Sequence, residues 1–328
     1  MNDYVMIAGG LCLLIAGGEF LVRGAANAAA RLGMSPLLIG LTLVGFGTSM
    51  PELVTSIEAS LLGAPGIAIG NIVGSNIANI LLILGLAALI TPITVGRQAL
   101  ARDGVIVLVC SVVFVVVGFA FDFGRPVGAA FIAALLGYLY YAYRQEVAGA
   151  PVGHTAAFEK REAHDEVFHR HMDRGTERMA AVWKPLVLAV IGLGIVVLGG
   201  KILVEGAIGL ARGANVSETV IGLTIVAIGT SLPELVTSVI AALRRHGDVA
   251  LGNILGSSIY NILGIAGFTA LISPTVIPAE IATFDSIVMV AVAVVFVIFA
   301  TTGYRIARAE GAALLAGYGL YIYSIWPI

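Results

Sequence analysis

Two glutamates and the oxygens around them are where this sequence could do chemistry. Glu52 and Glu234 each sit mid-way along an apolar run, in near-identical segments 182 residues apart. Residues 39–56 read IGLTLVGFGTSMPELVTS and residues 221–238 read IGLTIVAIGTSLPELVTS, with 14 of 18 positions identical. At the same offset, GNIVGSNIANILLILG (70–85) matches GNILGSSIYNILGIAG (252–267) at 11 of 16 positions. Apolar bias alone would not match the Thr, Ser, Pro, Glu and Asn positions. A carboxylate in mid-membrane costs about 2.5–3.5 kcal/mol on insertion scales and is a functional candidate by default. One such Glu could be held protonated by a neighbour. Two at equivalent repeat positions point to a shared ligand.

The neighbouring residues suit a hard cation. Pro51 and Pro233 lack an N–H, which leaves the carbonyls of Gly47 and Gly229 without helical partners and opens the chain there. Irregular backbone at that depth is tolerated where it lines a cavity. Thr48 and Ser49 add hydroxyls, and Thr48 shares a helix face with Glu52. The third apolar run carries Asn71, Ser75 and Asn79 every four residues, and the eighth carries Asn253, Ser257 and Asn261. Beside these stripes run Gly66, Gly70 and Gly74, then Gly252 and Gly256, spaced for close helix approach. Calcium takes six to eight oxygens from carboxylates, carbonyls and amides. The blocks hold no His or Cys, which disfavours zinc and copper. Two carboxylates balance one divalent ion. Emptied, they would repel each other in a low dielectric, so the site must be filled by one divalent ion, or by sodium ions or protons, before it can switch. Obligatory exchange follows from that charge.

Such a site needs membrane-spanning helices to hold it. Of 328 residues, 59% are hydrophobic and only 12% charged, against about 25% in soluble domains. Mean hydropathy is +1.01. Apolar runs at about 4–30, 36–61, 66–92, 104–121 and 126–143 precede a polar stretch, and runs at about 185–211, 217–243, 249–273, 284–303 and 306–327 follow it. The expected fold is therefore all-α and polytopic, with ten transmembrane helices as two inverted five-helix repeats. Residues 1–143 form the first repeat, 144–184 a cytoplasmic connecting loop, and 185–328 the second, inverted repeat. An odd number of spans per copy inverts the second copy. Inverted repeats mark secondary transporters, whose site lies at the repeat interface on broken helices. With both termini outside, the inner connections carry 15 Lys and Arg and the outer ones only Arg125 and Arg212. The positive-inside rule then makes the central loop cytoplasmic. The first run lacks the basic flank of a signal peptide. Cys12 and Cys110 lie inside apolar runs and suggest no disulfide framework.

The paired blocks GTSMPELVTS with GNIVGSNIANI, and GTSLPELVTS with GNILGSSIYNI, resemble the two alpha repeats of the sodium/calcium exchanger family. This is the calcium/cation antiporter superfamily in its prokaryotic form. The resemblance implies a central calcium site flanked by sodium sites. Its calcium ligands would be the carboxylates of Glu52 and Glu234 and the carbonyls of Thr48 and Thr230. Its sodium ligands would be Ser49, Ser75, Ser231 and Ser257 with carbonyls of Gly45 and Ala227. Asn79 and Asn261 would be polar partners. Asn261 departs from the Asp that sodium-using exchangers often carry there, so sodium and protons both stay open as the coupling ion. The resemblance further implies that the first and sixth helices slide over a rigid core. Gly17–Gly18 with Glu19 and Arg23, and Gly199–Gly200 with Lys201 and Glu205, are candidates for gating.

The central stretch holds seven acidic and seven basic residues plus His154, His164, His169 and His171. It is expected to be a solvated connection, too short for a calcium-sensing domain. The partners expected are inorganic cations and the lipid bilayer, with no cofactor and no nucleic acid, and one chain is expected to function as a monomer. No nucleophile–base pair suggests an enzyme. The competing reading from another class is a cation channel. Two inverted copies in one chain favour alternating access over a pore.

Overall fold

The computed structural model describes residues 2–32, 45–147, 156, 158–160 and 183–326. His154, His164, His169, His171, residues 36–44 of the second expected span and most of the central stretch lie outside the described residues. The described chain is a bundle of helices numbered here in order: α1 (Asp3–Arg31), α2 (Met50–Leu61), α3 (Pro65–Ile90), α4 (Leu100–Ala120) and α5 (Arg125–Val147). After the central stretch come α6 (Trp183–Ala214), α7 in two pieces (Glu218–Thr230 and Leu232–Leu243), α8 (Gly247–Ile272), α9 (Ile281–Thr301) and α10 (Arg308–Ile325).

Among the described residues, seven helices are long and apolar enough to cross a membrane, or eight with the bent α7 taken as one span. That count falls short of the ten expected. The difference lies in α2, where only residues 50–61 form the described helix, and in α10, which Arg308, Glu310 and three tyrosines make less apolar.

Burial separates two layers. The apolar windows of α3 and α8 are 83% and 89% buried inside the bundle, whereas those of α1 and α6 are 33% buried. The centre is therefore built from the two helices that carry the Asn–Ser–Asn stripes, and α1 and α6 lie outside them. These outer helices run antiparallel in close contact. A Cβ added at Gly10 would stand 2.7 Å from Leu203 N, and one at Gly199 would stand 2.9 Å from Leu14 N. Gly17 and Gly192 meet in the same way, a Cβ at Gly192 falling 2.8 Å from Gly17 O. Gly10 and Gly192 are 182 residues apart, as are Gly17 and Gly199, so one contact is the repeat image of the other.

Three of the basic connections meet at one end of the bundle. Ile93–Thr94 pairs antiparallel with Arg305–Ile306, the Arg97 guanidinium stacks 4.4 Å from the Tyr304 ring centroid, and Gly247 packs on Ile93. At the other end Ser60 bonds Ser273, and Arg125 donates to Leu271 O.

One part of the central stretch departs from expectation. Ala156 is 1% and Lys160 0% exposed, so at these positions the stretch is a buried insert and not a solvated connection. The reason is a polar anchor and a trough. Ala156 N donates to Asp103 Oδ2 at 3.0 Å, and a Cβ at Gly256 would lie 3.1 Å from Ala156 O. A larger residue at Gly256 would leave no room for the segment.

Candidate cation site

The prolines do to the chain what their chemistry requires. α2 begins at Met50, with Ser49 at its N-cap and Pro51 in its first turn. The pieces of α7 meet at Ser231 with a bend of 50°, and Pro233 sits in the first turn of the second piece. Both breaks leave a glutamate, Glu52 or Glu234, on the first turn of a new helix, where the helix dipole favours negative charge. Both side chains are buried, at 1% and 2% exposure.

The breaks then interlock across the repeat. Ser231 Oγ lies 3.1 Å from Glu52 Oε1 and 3.1 Å from Ser75 Oγ. Ser49 Oγ lies 3.5 Å from Glu234 Oε1, the image of the first contact. Ser75 in turn donates to Ala227 O at 3.5 Å, and Ser257 Oγ stands 3.5 Å from Glu234 Oε1. Each carboxylate of one copy thus meets the serine beside the break in the other.

An asparagine splints each break. Asn71 Nδ2 donates to Glu52 O at 3.1 Å and Ser56 Oγ at 3.0 Å. Asn253 Nδ2 donates to Glu234 O at 3.2 Å and Ser238 Oγ at 2.8 Å. The Thr230 hydroxyl lies 2.9 Å from Asn71 Oδ1, so it braces the core and leaves its carbonyl as the candidate ligand. Thr48 is half-buried and lines a cavity with Gly18, Glu19, Pro233, Glu234 and Asn253. Glu19, paired with Arg23, therefore flanks an approach to Glu234, while Lys201 and Glu205 both stand exposed. Gly45 opens the short helical turn Gly45–Gly47 ahead of the break.

Several buried oxygens have no hydrogen-bond partner among the described residues: Glu52 Oε2, Glu234 Oε2, Asn79 Oδ1 and Asn261 Oδ1. Buried polar atoms are normally paired, and each exception asks for an explanation such as an ion. Asn79 and Asn261 also lie in π-helical turns, Asn79–Leu84 and Tyr260–Ile265. Such turns are frequent at functional sites. Among the described residues no cluster of three or more His, Cys, Asp or Glu side chains is found. What converges is a set of oxygens with two carboxylates, a donor set for a hard cation such as calcium or sodium.

Three acidic or basic side chains escaped the reading of the sequence. Asp103 and Asp285 are buried at 1% and 3% exposure, and Tyr138 and Tyr321 reach them at 3.4 and 2.9 Å. They are 182 residues apart, so extending the repeat past residue 85 would have exposed them. Lys160 had no such signal, because it has no counterpart in the repeat. Its Nζ stands 3.2 Å from Glu234 Oε1.

With this geometry in place, comparison with known proteins is decisive. The family described as sodium/calcium exchanger protein matches residues 3–144 and 184–326, which is nearly the whole chain outside the central stretch. The chain belongs to this family. It is 35% identical to the sodium/calcium exchanger MaX1 of Methanosarcina acetivorans, over 99% of both chains. It is 32% identical to the inner membrane protein YrbG of Escherichia coli, over 97% of this chain and 94% of that one. Among solved structures it superposes on the sodium-calcium exchanger NCX_Mj with a TM-score of 0.61 and 31% identity, over 99% of both chains. As a family member, the chain is a multi-pass membrane antiporter.

Proposed function

We propose that this protein exchanges Ca2+ for Na+ across the cell membrane by alternating access, at a site made by Glu52 and Glu234. The observation that carries this is the crossed pairing of carboxylates and serines, Ser231 with Glu52 and Ser49 with Glu234. It supports a site at the interface between the repeats, where rocking one part against the other would expose both charges alternately. Calcium takes the two carboxylates with the carbonyls of Thr48 and Thr230. Sodium ions use Ser49, Ser75, Ser231 and Ser257 with the carbonyls of Gly45 and Ala227, and Asn79 and Asn261 complete the wall. Protons need no such cage of neutral oxygens, which favours sodium as the coupling ion. Ten spans in two inverted halves, with both termini outside and the central stretch cytoplasmic, carry this cycle. Each chain holds a whole site and acts as a monomer, without a cofactor.

The test is calcium uptake into sodium-loaded proteoliposomes with pH clamped on both sides. Uptake should follow the sodium gradient. Uptake that ignores sodium and follows an imposed pH gradient would reassign the coupling ion to protons. Stimulation by an inside-positive potential would set the ratio at three sodium ions per calcium, and indifference to potential would set it at two. The orientation has its own test. Single cysteines placed in the central stretch and at the C-terminus should react with an impermeant thiol reagent from opposite sides of the membrane. Reaction of both from one side would refute the odd number of spans per repeat.

A further inference from the structure

Lys160 is the only residue of the central stretch whose charge reaches the cation site among the described residues. Its side chain is fully buried, at 0% exposure. Its ammonium pairs with Glu234 Oε1 at 3.2 Å, donates to Ser257 Oγ, and lies 6.0 Å from the centroid of the Tyr260 ring. Both oxygens belong to the proposed ligand set. The ammonium therefore stands where a monovalent cation would use the same partners.

The repeat shows how the segment gains access. On α3, Gly70 and Gly74 pack against the first piece of α7, a Cβ at Gly70 meeting Leu223 N at 3.0 Å. Their repeat images on α8 are Gly252 and Gly256. Among the described residues these face Glu159, Ala156 and Lys160, with Lys160 Cβ at 3.3 Å from a Cβ at Gly256; the repeat image of Leu223, residue 41, lies outside the described residues. The side-chain bonds break symmetry at the same place. Ser75 meets Ser231 of the other copy, whereas its image Ser257 meets Lys160. Ala156, held on Asp103, fixes the segment at the end of the bundle where three of the basic connections meet.

We propose that Lys160 is a tethered cation that occupies the Glu234–Ser257 corner in competition with the transported ions. The exchanger is autoinhibited until the segment withdraws. The inference rests on the reading of Glu234 as a cation ligand. A divalent ion bonded to Glu234 would face the ammonium within a few ångströms, and like charges repel strongly in a poorly solvated site. Calcium and Lys160 thus exclude each other. With the lysine seated, one of the site's two negative charges is already balanced, so the resting protein avoids two bare carboxylates without holding a transported divalent ion.

Binding of calcium to purified protein in lipid nanodiscs tests this directly. Apparent affinity falls by the fraction of molecules that are binding-competent, so a lysine seated in about nine of ten molecules weakens calcium binding about 10-fold. Lys160→Met should therefore bind calcium about 10-fold more tightly than wild type, and Lys160→Arg should stay close to wild type. A second variant guards against misfolding. Lys160→Cys, in a Cys12→Ala/Cys110→Ala background, should bind tightly and return towards wild-type affinity when its thiol is aminoethylated. That reaction restores an ammonium on a chain of similar length. Equal calcium affinity in wild type and Lys160→Met, or no weakening on aminoethylation, overturns the proposal while leaving the exchanger reading intact. If neither wild type nor Lys160→Met binds calcium, the exchanger reading falls and this inference with it.

Discussion

Glu52→Gln and Glu234→Gln are each expected to abolish calcium uptake while the protein still inserts in the membrane. The two side chains are isosteric, so packing is retained and one negative charge is lost. That charge matters because the site has few other ways to balance a divalent ion. The serine hydroxyls and asparagine amides around it are neutral, and one oxygen of each carboxylate has no hydrogen-bond donor among the described residues. Even at an effective dielectric near 20, removing a unit charge in direct contact with calcium costs several kcal/mol. Calcium affinity should drop more than about 100-fold in either variant, since each 1.4 kcal/mol is about tenfold. Both variants should pass that threshold, because the pairing of Ser231 with Glu52 images that of Ser49 with Glu234, and the two losses should differ in size because only Glu234 also meets Lys160. Flux near wild type in both, measured in proteoliposomes, would place the transport site elsewhere. Loss in only one would show that the repeat symmetry of the structure does not extend to ion binding.

Most of this site could be read from the sequence because the repeat marks it twice. Pro51 and Pro233 announce the breaks through a missing N–H, and the structure interrupts the chain beside each of them. Glu52, Glu234, Ser49, Ser231, Ser75 and Ser257 were recognisable as polar residues that an apolar run would not otherwise keep, and they do come together. What the sequence could not convey was how the copies interlock. Ser231 turned out to face the carboxylate of the opposite copy, and that depends on the rotation of one repeat against the other. The roles of Asn71 and Asn253 were likewise hidden. A stripe at four-residue spacing predicts a shared face, but only packing shows that these amides splint the backbone at each glutamate. Asp103 and Asp285 were missed because they lie at the start of helices beyond the matching blocks. Lys160 was read as part of a solvated connection, since neighbouring charges along the chain give no sign that one of them is buried. The span count diverged for a compositional reason. α10 carries Arg308, Glu310 and three tyrosines, so its apolarity alone does not distinguish it from an interfacial helix.

The breaks work as a pair only while α3 and the first piece of α7 stay in contact, and that contact depends on glycine. Gly74→Val is expected to destabilise the protein and to abolish transport even where it is produced. A Cβ at Gly74 would stand 2.8 Å from Leu223 Cα and 2.8 Å from Ala227 Cβ, so the obstruction is largely backbone. A neighbouring side chain could change rotamer, but Leu223 Cα can retreat only if the helix moves. Overpacking of this kind costs about 1–3 kcal/mol, and a β-branched residue has the least freedom to avoid it. The displaced contact also holds the site. Ala227 O accepts from Ser75 at 3.5 Å, and Thr230 reaches Asn71 at 2.9 Å across the same interface. Prising α3 from α7 would therefore separate the hydroxyls of one repeat from the carboxylate of the other. Gly9→Ala makes the control, because a Cβ there meets nothing within 4 Å. Replacing that helical glycine should stabilise by about 0.5–1 kcal/mol or leave stability unchanged. The measurement is the fraction of protein that stays monodisperse after heating in detergent, alongside calcium uptake. Wild-type behaviour of Gly74→Val on both readouts would mean that the helices have room to separate without disturbing the site, and the tight crossing would lose its role in transport.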